Sequence, residues 1–422
     1  MNETEFRGLM EKHLLPMLPG CSVTIVDKKS NKKNVVSDCD GKTGLKLYPA
    51  CLEKHIIIKK RQRFNNVEKA ICRNFIRFMA AIDEVFGKEY QQNVEDYVMS
   101  KVIAASCDVS GLLGTDNSSI YSETLQFISS VLRTFSEWSQ QTYENQKIAV
   151  SVGIERQRAR KSVSFEEYSA YSFSKIFGNG YDSLVVFSPS GIMLKHESFG
   201  CNANILDEIN SPIRFSLLAN WTRNGKIAIS LLRNGDILIF NDGSLLFAKR
   251  RGVWRYFSHD SVITQMSLGT PNIWKSGVIN AVYRTALDVA FAKTGGCIGV
   301  ILKNKINDAI DIVNNNDLMV HPGNSDKIRL MTYLFRKCNT IYDISRRLRQ
   351  EIAAIDGALI IGYNGKILAI GAILEIQSGS TGGGRTAAAK ALSQYGLGIK
   401  ISNDGNIEIY KSGEDGPFLS LG

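Results

Sequence analysis

Two short β-hairpins near the C-terminus constrain the fold of this 422-residue chain more than any other feature. Each joins two strand-like runs through a turn, at Asn364-Gly365 in the first hairpin and at Asn403-Asp404-Gly405 in the second. Asn-Gly and Asp-Gly pairs readily adopt the left-handed backbone that tight hairpin turns need. The four predicted strands are Ala358–Gly362, Ile367–Ala372, Gly398–Ile401 and Asn406–Tyr410. An alanine-rich run between the hairpins predicts a helix, so this region is expected to be a mixed α/β unit.

A glycine cluster, Gly382-Gly383-Gly384, opens the alanine-rich run and is followed by Arg385. Glycines at a helix start leave the first backbone N–H groups open to an anion, which the helix dipole also attracts. The adjacent guanidinium adds a fixed charge and a two-pronged donor. An acid, Asp356, stands at the start of the first strand. The pattern indicates a phosphate-sized site, with a plain turn at the glycines and a capping role for Asp356 as the alternatives.

The order of these features resembles the diadenylate cyclase (DAC, or DisA-N-like) domain. Asp356-Gly357-Ala358 is similar to the family's Asp-Gly-Ala motif, and Gly383-Gly384-Arg385-Thr386 is similar to part of its Gly-Thr-Arg-His-Arg motif. Ser402-Asn403-Asp404 stands where the family has Ser-Glu-Glu. The resemblance covers residues 278–412, and it departs at Thr386 and Ala387, which replace the family's His and second Arg.

The resemblance implies a mixed central sheet, flanked by helices, that joins two ATP molecules into cyclic di-AMP. It also implies Mg²⁺ or Mn²⁺ as cofactor and head-to-head self-association of two copies. In this reading Asp356 is a catalytic residue that binds the metal and activates the attacking hydroxyl, and Arg385 is the catalytic residue that neutralises phosphate charge. The nucleotide-binding positions that the resemblance implies are Gly357, Ala358, Leu374, Gly383, Gly384, Thr386, Ser402 and Asp404.

The two departures from the phosphate motif leave a second function open. Losing the family's His and second Arg removes two charge-assisted contacts, each worth roughly 1.5–3 kcal/mol. A DAC-like domain that binds a nucleotide as a signal, without turning it over, is therefore the alternative to a cyclase.

A basic segment at residues 28–63 opens a third function, of a different class. It holds eleven Lys or Arg against three Asp or Glu, which is +8 of the chain's net charge of +10. Such a segment is typical of nucleic-acid binding. A lysine-decorated, solvated strand edge has the same composition, and no aromatic residues interleave with the charges in a way that favours stacking.

The overall composition is that of a globular protein, with 44% hydrophobic and 22% charged residues. No apolar run reaches the 18 residues of a membrane helix, and the N-terminus lacks the basic-then-apolar order of a secretory signal. The eight cysteines are scattered, without a Cys-x-x-Cys pair. These features favour a reducing cytoplasm, with no membrane contact and neither zinc nor disulfides.

The pattern of predicted helices and strands changes twice along the chain, which predicts three regions. The protein is expected to be of the α/β class, with α and β elements mixed. Residues 1–160 are expected to be a mixed helical region, and the apolar stripes of its helices indicate core and no ligand set. Residues 161–277 are expected to be a β-rich module, which resembles the sensor regions found before DAC domains. Residues 278–422 are the DAC-like domain, and the first boundary is placed at the basic linker 155–161.

A sustained apolar stripe predicts one long helix over residues 327–354, which leads into Asp356. The opposite face carries five basic residues that we expect to be solvated, namely Arg336, Lys337, Arg346, Arg347 and Arg349. A basic rim of this kind near a nucleotide site would attract polyphosphate.

Overall fold

The computed structural model divides the chain into two compact units. The first comprises Met1–Ile209 and Phe215–Phe257, and the second comprises Asn210–Arg214 and Ser258–Gly422. The structure describes residues 3–26, 32–52, 54–85, 91–113, 118–157, 163–200, 209–268, 276–319, 326–335, 340–376 and 382–421. Helices and sheets are mixed in both units, which confirms the predicted α/β class.

The first unit combines helices with a four-stranded and a seven-stranded sheet. Its strands are β1 (Ser22–Val26), β2 (Val35–Cys39), β3 (Gly44–Tyr48), β4 (His55–Lys59), β5 (Thr142–Tyr143), β6 (Gln146–Lys147), β7 (Val150–Ile154), β8 (Ser183–Phe187), β9 (Met193–Ser198), β10 (Ile227–Leu231), β11 (Ile237–Asn241), β12 (Ser244–Arg250) and β13 (Val253–Tyr256). Its helices are α1 (Glu3–Leu9), α2 (Asn66–Val85), α3 (Gln91–Ser106), α4 (Ser110–Leu113), α5 (Ser118–Trp138), α6 (Phe165–Ala170) and α7 (Ser216–Trp221). The strand orders are β1-β4-β3-β2 and β13-β12-β11-β10-β7-β8-β9, with β5 and β6 as a separate pair.

The structure differs from the expected division at residue 160. Strand β7, from before that point, pairs antiparallel with β10 and parallel with β8, so the seven-stranded sheet needs a strand from the supposed helical region. One hydrophobic core contains Phe75 of α2, Val152 of β7 and Phe247 of β12. The expected mixed and β-rich regions therefore belong to the same unit. The linker at 155–161 lies in part outside the described residues, which exclude 158–162.

The second unit is built on a six-stranded sheet of order β16-β15-β14-β17-β18-β19. Its strands are β14 (Gly296–Ile301), β15 (Ala358–Gly362), β16 (Ile367–Ala372), β17 (Gly396–Ile401), β18 (Ile407–Lys411) and β19 (Leu419–Leu421). Its helices are α8 (His259–Leu268), α9 (Ser276–Ala292), α10 (Ile306–Ile310), α11 (Asp326–Phe335), α12 (Arg346–Ala353) and α13 (Gly384–Ser393). Strands β14 and β15 are parallel, and the other neighbours are antiparallel.

Glycines in the sheet allow helices to approach both of its faces. A Cβ atom at Gly398 of β17 would lie 1.7 Å from the carbonyl oxygen of Ala389 in α13. At Gly296 of β14, a Cβ atom would lie 2.3 Å from the carbonyl oxygen of Ala353 in α12. Helices α13 and α12 therefore pack directly on the backbone of the central strands, which gives the mixed sheet flanked by helices that the resemblance implies.

The single long helix predicted over 327–354 is wrong. Helix α11 ends at Phe335, and α12 begins at Arg346, with a turn at Thr340–Asp343 between them. The carboxylate of Asp343 accepts hydrogen bonds from the N–H and the hydroxyl of Thr340, and the Ser345 hydroxyl caps α12 by accepting from the N–H of Leu348. These local side-chain bonds compete with a continuous helix, although the apolar spacing continues across the break.

Candidate functional site

The candidate residues lie at one end of the strands of the six-stranded sheet, and we call this end the sheet edge. Strands β14 and β15 begin at this edge, while β16 and β17 run antiparallel to them and end there. Asp356 lies just before β15, the Ser402–Asp404 turn lies just after β17, and Leu374 lies just after β16. Since neighbouring strands lie about 4.8 Å apart, the strand ends next to Asp356 and Ser402 are separated by about 10 Å.

The N-terminus of α13 opens onto space beside this edge. Gly383 precedes the helix with φ +84°, and its carbonyl oxygen accepts the N–H groups of Thr386 and Ala387. Gly383 and Gly384 are exposed, and a Cβ atom at either position would meet nothing within 4 Å. The first turn of α13 thus presents backbone N–H groups and the positive end of its dipole to an anion.

Arg385 lies over the start of β14 and is held by Asn403. Its Nη1 donates a hydrogen bond of 2.6 Å to Oδ1 of Asn403. A Cβ atom at Gly295 would lie 2.3 Å from Nη1 of Arg385 and 2.2 Å from Oδ1 of Asn403, so the pair occupies the space that a side chain would fill. Cys297 lies nearby, and burial raises the pKa of its thiol to about 12 although the charge of Arg385 opposes the rise. That thiol is a neutral core group.

Asp356 is exposed at the edge, directly before a glycine whose backbone conformation other residues rarely adopt. Its Oδ1 accepts a hydrogen bond of 3.2 Å from the N–H of Gly357. Gly357 has φ +100°, and a Cβ atom there would lie 2.4 Å from the carbonyl carbon of Gly371. This close approach of the β15 and β16 backbones fixes where the carboxylate lies.

Sequence reasoning missed two charged residues that brace this close approach. The ammonium of Lys327 donates to Oδ1 of Asp317 at 2.6 Å and to the carbonyl oxygen of Gly371 at 2.7 Å. The other carboxylate oxygen of Asp317 accepts the N–H of Ile373 at 2.9 Å. No sequence signal identified Asp317, which lies in a polar loop. The apolar stripe places Lys327 at the start of the predicted long helix, without indicating a contact at this edge.

Several of the predicted nucleotide-binding residues have structural partners of their own. Thr386 is buried, and its hydroxyl donates to the carbonyl oxygen of Gly382 at 2.7 Å. The Ser402 hydroxyl donates to Asp404, whose Oδ1 also accepts the N–H of Asn406 at 3.3 Å. These bonds stabilise the start of α13 and the turn after β17.

Two other predicted residues lie on the sheet itself. Ala358 is buried in the core and faces Ala372 across the β15–β16 pair. Leu374 is half-buried and forms an isolated bridge with Val313. Both positions shape the edge through apolar contact and backbone pairing.

The expected solvated basic rim is wrong for Arg346 and Arg349, while its Arg336 and Lys337 lie outside the described residues. Arg346 is fully buried, and its Nε and Nη2 donate to the Asp288 carboxylate at 2.7 and 2.9 Å. Its Nη2 also donates to the carbonyl oxygen of Ser211. Arg349 is 5% exposed, and only Arg347 is solvated. The apolar spacing of the helix could not predict that Arg346 is buried, because its charged partner Asp288 lies on α9, 58 residues away.

No cluster of three or more His, Cys, Asp or Glu side chains suited to a metal ion occurs among the described residues. Asp404 at the same edge hydrogen-bonds to Ser402 and Asn406, which leaves Asp356 as the candidate metal ligand. Mg²⁺ is commonly held by one or two carboxylates with water and substrate phosphates, so this donor fits a metal that arrives with a nucleotide.

The basic segment 28–63 is partly neutralised in the structure, which describes it apart from residues 28–31 and 53. Salt bridges join Lys54 to Glu3, Lys59 to Asp40 and Lys60 to Glu68. The Lys60–Glu68 pair is buried, so that charge is unavailable to a polyanion. Within the described ranges, no helix is long and apolar enough to cross a membrane.

Comparison with known proteins leaves the site to be interpreted from its own residues: no protein-family model matches the chain, and no curated protein matches it.

Proposed function

We propose that the second unit binds ATP at this sheet edge and condenses two ATP molecules into cyclic di-AMP or a related cyclic dinucleotide. The observation that supports the proposal is the meeting of an exposed acid, an open helix N-terminus and a braced arginine at one edge. A triphosphate needs charge neutralisation and backbone donors, and the reacting hydroxyl needs an acid–base partner. The edge offers each of these at neighbouring strand ends.

The phosphates are bound at the start of α13. Phosphate oxygens accept hydrogen bonds from the backbone N–H groups of Gly384 and Arg385 in the first turn, where the helix dipole favours negative charge. The guanidinium of Arg385 neutralises the charge that builds up as pyrophosphate leaves. Asn403 and Gly295 keep that guanidinium at the edge.

The hydroxyl is activated at Asp356. In each half-reaction the 3′-hydroxyl of one ATP loses its proton towards the Asp356 carboxylate, a P–O bond forms at the α-phosphate of the other ATP, and pyrophosphate leaves. Bound Mg²⁺ or Mn²⁺ would supply Lewis-acid stabilisation of the phosphate charge. The brace of Lys327 and Asp317 on Gly371 holds the strand ends that carry Asp356.

Two copies of the chain meet head to head, so that two ATP molecules face each other. An apolar face of α11 supports self-association: Leu330, Tyr333 and Leu334 are 55%, 81% and 50% exposed. This helix begins beside the site, because Lys327 in its first turn binds Gly371. The cysteines that the structure describes form no disulfide, which suits the reducing cytoplasm in which we place the protein.

A silent nucleotide-binding module is the second candidate, and one observation favours it. Thr386 directs its hydroxyl back to Gly382, and Ala387 has no donor, so α13 offers a phosphate fewer side-chain contacts than the full DAC motif. A nucleic-acid-binding role for residues 28–63 has less support, since Lys54, Lys59 and Lys60 are paired.

Calorimetric titration of the full chain with ATP, with and without Mg²⁺ or Mn²⁺, tests the binding step. Asp356→Asn should remove the metal-dependent part of the affinity and leave metal-free binding intact. Asp311→Asn, at an exposed acid near α10, is the matched control and should behave as wild type. The absence of ATP binding in the wild-type protein would overturn the proposal.

A further inference from the structure

A cleft in the first unit lies between α2, α3 and α5, and the proposed chemistry does not use it. Its volume is about 600 Å³, within the range of small-molecule sites. Each helix contributes residues three or four positions apart, such as Arg77 and Asn74 on α2 and Lys101 and Tyr97 on α3. Residues at that spacing share one helix face, so three faces meet at the cleft.

The charge of the cleft is of one sign. Each helix supplies one cation, namely Arg77, Lys101 and Arg133, and no Asp or Glu lines the cleft. Within the described part of the chain, none of the three cations forms a salt bridge. Unbalanced positive charge in a concave site attracts and concentrates anions.

A neighbouring cleft shows that this charge pattern is particular to the first. Tyr97 and Arg133 line both clefts, but the neighbouring cleft is also lined by Asp96 and Glu137. There, Lys249 donates to Asp96 at 3.0 Å, so its charge is balanced inside the protein. Arg133 lies on the border of the two clefts, whereas Arg77 and Lys101 line the first cleft and not the second.

Aromatic rings accompany the cations. Phe78, Tyr97 and Tyr121 line the cleft. The ammonium of Lys101 lies 4.5 Å from the ring centre of Tyr97, and the guanidinium carbon of Arg77 lies 5.9 Å from that of Phe78. Cations with flat apolar surfaces suit a ligand that joins a phosphate to an aromatic ring.

We propose that this cleft binds a nucleoside monophosphate or a similar phosphorylated aromatic metabolite, with the phosphate at Arg77, Lys101 and Arg133 and the base against the tyrosines. The proposal is independent of the function of the second unit. The sequence did not reveal the site, because each helix carries only one of its cations and the set forms only where the three helices meet.

Calorimetric titration of the full chain with AMP, GMP, CMP and UMP tests the proposal. The titrations use an Arg385→Ala background, which removes the principal phosphate ligand of the second unit. At least one monophosphate should bind, and the matching nucleoside without phosphate should bind far more weakly. Arg77→Gln and Arg133→Gln should each weaken binding by roughly tenfold or more, as expected for loss of a charge-assisted contact.

Arg73→Gln is the matched control, because Arg73 is exposed on α2 and does not line the cleft. It should leave the affinity unchanged, and thermal unfolding should show that all three variants remain folded. Tyr97→Leu should weaken monophosphate binding more than it weakens binding of inorganic pyrophosphate.

Absence of binding by all four monophosphates at millimolar concentration would overturn the proposal. So would binding that is insensitive to Arg77→Gln and Arg133→Gln. If single-stranded RNA bound instead, and the same two variants abolished that binding, the cleft would be a polynucleotide site and the small-ligand proposal would be wrong.

Discussion

Arg385 in the first turn of α13 donates a hydrogen bond of 2.6 Å to Asn403, which follows the last residues of β17. The bond ties the helix to the sheet edge where Asp356 lies. A guanidinium has five N–H donors, and this bond uses one of them. Arg385 is therefore oriented by the protein and still has donors for phosphate.

Removal of Arg385 should weaken ATP binding. Arg385→Ala deletes a charge-assisted contact, so the dissociation constant for ATP should rise by roughly tenfold or more. Lys390→Ala removes an exposed cation from the same helix, beyond its first turn, and should leave the affinity near the wild-type value. Calorimetric titration measures both. Equal losses in the two variants would mean that only general positive charge matters.

Gly295→Ala should disturb the hydrogen bond between Arg385 and Asn403, because Gly295 lies against both side chains. The new Cβ atom would overlap Nη1 of Arg385 and Oδ1 of Asn403, which are the ends of movable side chains, so these should shift and the core should persist. We expect an ATP affinity close to that of Arg385→Ala. Gly413→Ala is the control, since Gly413 has a similar φ of +82° with nothing within 4 Å. Wild-type affinity in Gly295→Ala would contradict the proposed role of Arg385.

The buried pair of Asp288 and Arg346 should dominate the stability of the second unit. Asp288→Asn leaves the Arg346 guanidinium without its counter-ion, and breaking a buried pair in this way costs about 3–5 kcal/mol. Asp326→Asn breaks the exposed pair with Arg329, in which both side chains are more than 80% exposed, and should change little. Urea unfolding monitored by circular dichroism compares them. Similar effects of the two variants would show that the buried pair has no special role.

The sequence predicts local structure in the second unit well where turn chemistry decides it. Strands β15 and β16 have the predicted bounds, because Asn364-Gly365 fixes the turn between them. The glycine-led start of α13 at Gly384 follows from the same kind of local signal. Both features lie within a few residues of the pattern that predicts them.

Features that depend on distant partners were not predicted. Arg346 had the sequence context of a surface residue, but Asp288 and the carbonyl oxygen of Ser211 come from far along the chain and stabilise it in the core. Likewise, the brace of Lys327 and Asp317 and the three-helix cationic cleft exist only after the elements have packed. Spacing along one element carries no information about which element will face it.

Self-association should accompany activity. Light scattering should detect a dimer in the presence of ATP and metal, and Tyr333→Lys should weaken it by placing a charge on the exposed apolar face of α11. Mixing Asp356→Asn with Arg385→Ala should restore some product if the two copies share their sites. A protein that stays monomeric with ATP present would contradict the head-to-head arrangement.

The most direct test of the central claim is mass spectrometry of the products after the full chain is incubated with ATP and Mg²⁺ or Mn²⁺. We predict cyclic di-AMP, or a related cyclic dinucleotide when other nucleotides are supplied, with two pyrophosphates released per product. Asp356→Asn should abolish this product. If the wild-type protein binds ATP with metal but forms no cyclic dinucleotide from any nucleotide pair, the cyclase account is contradicted and the second unit is a nucleotide-binding module.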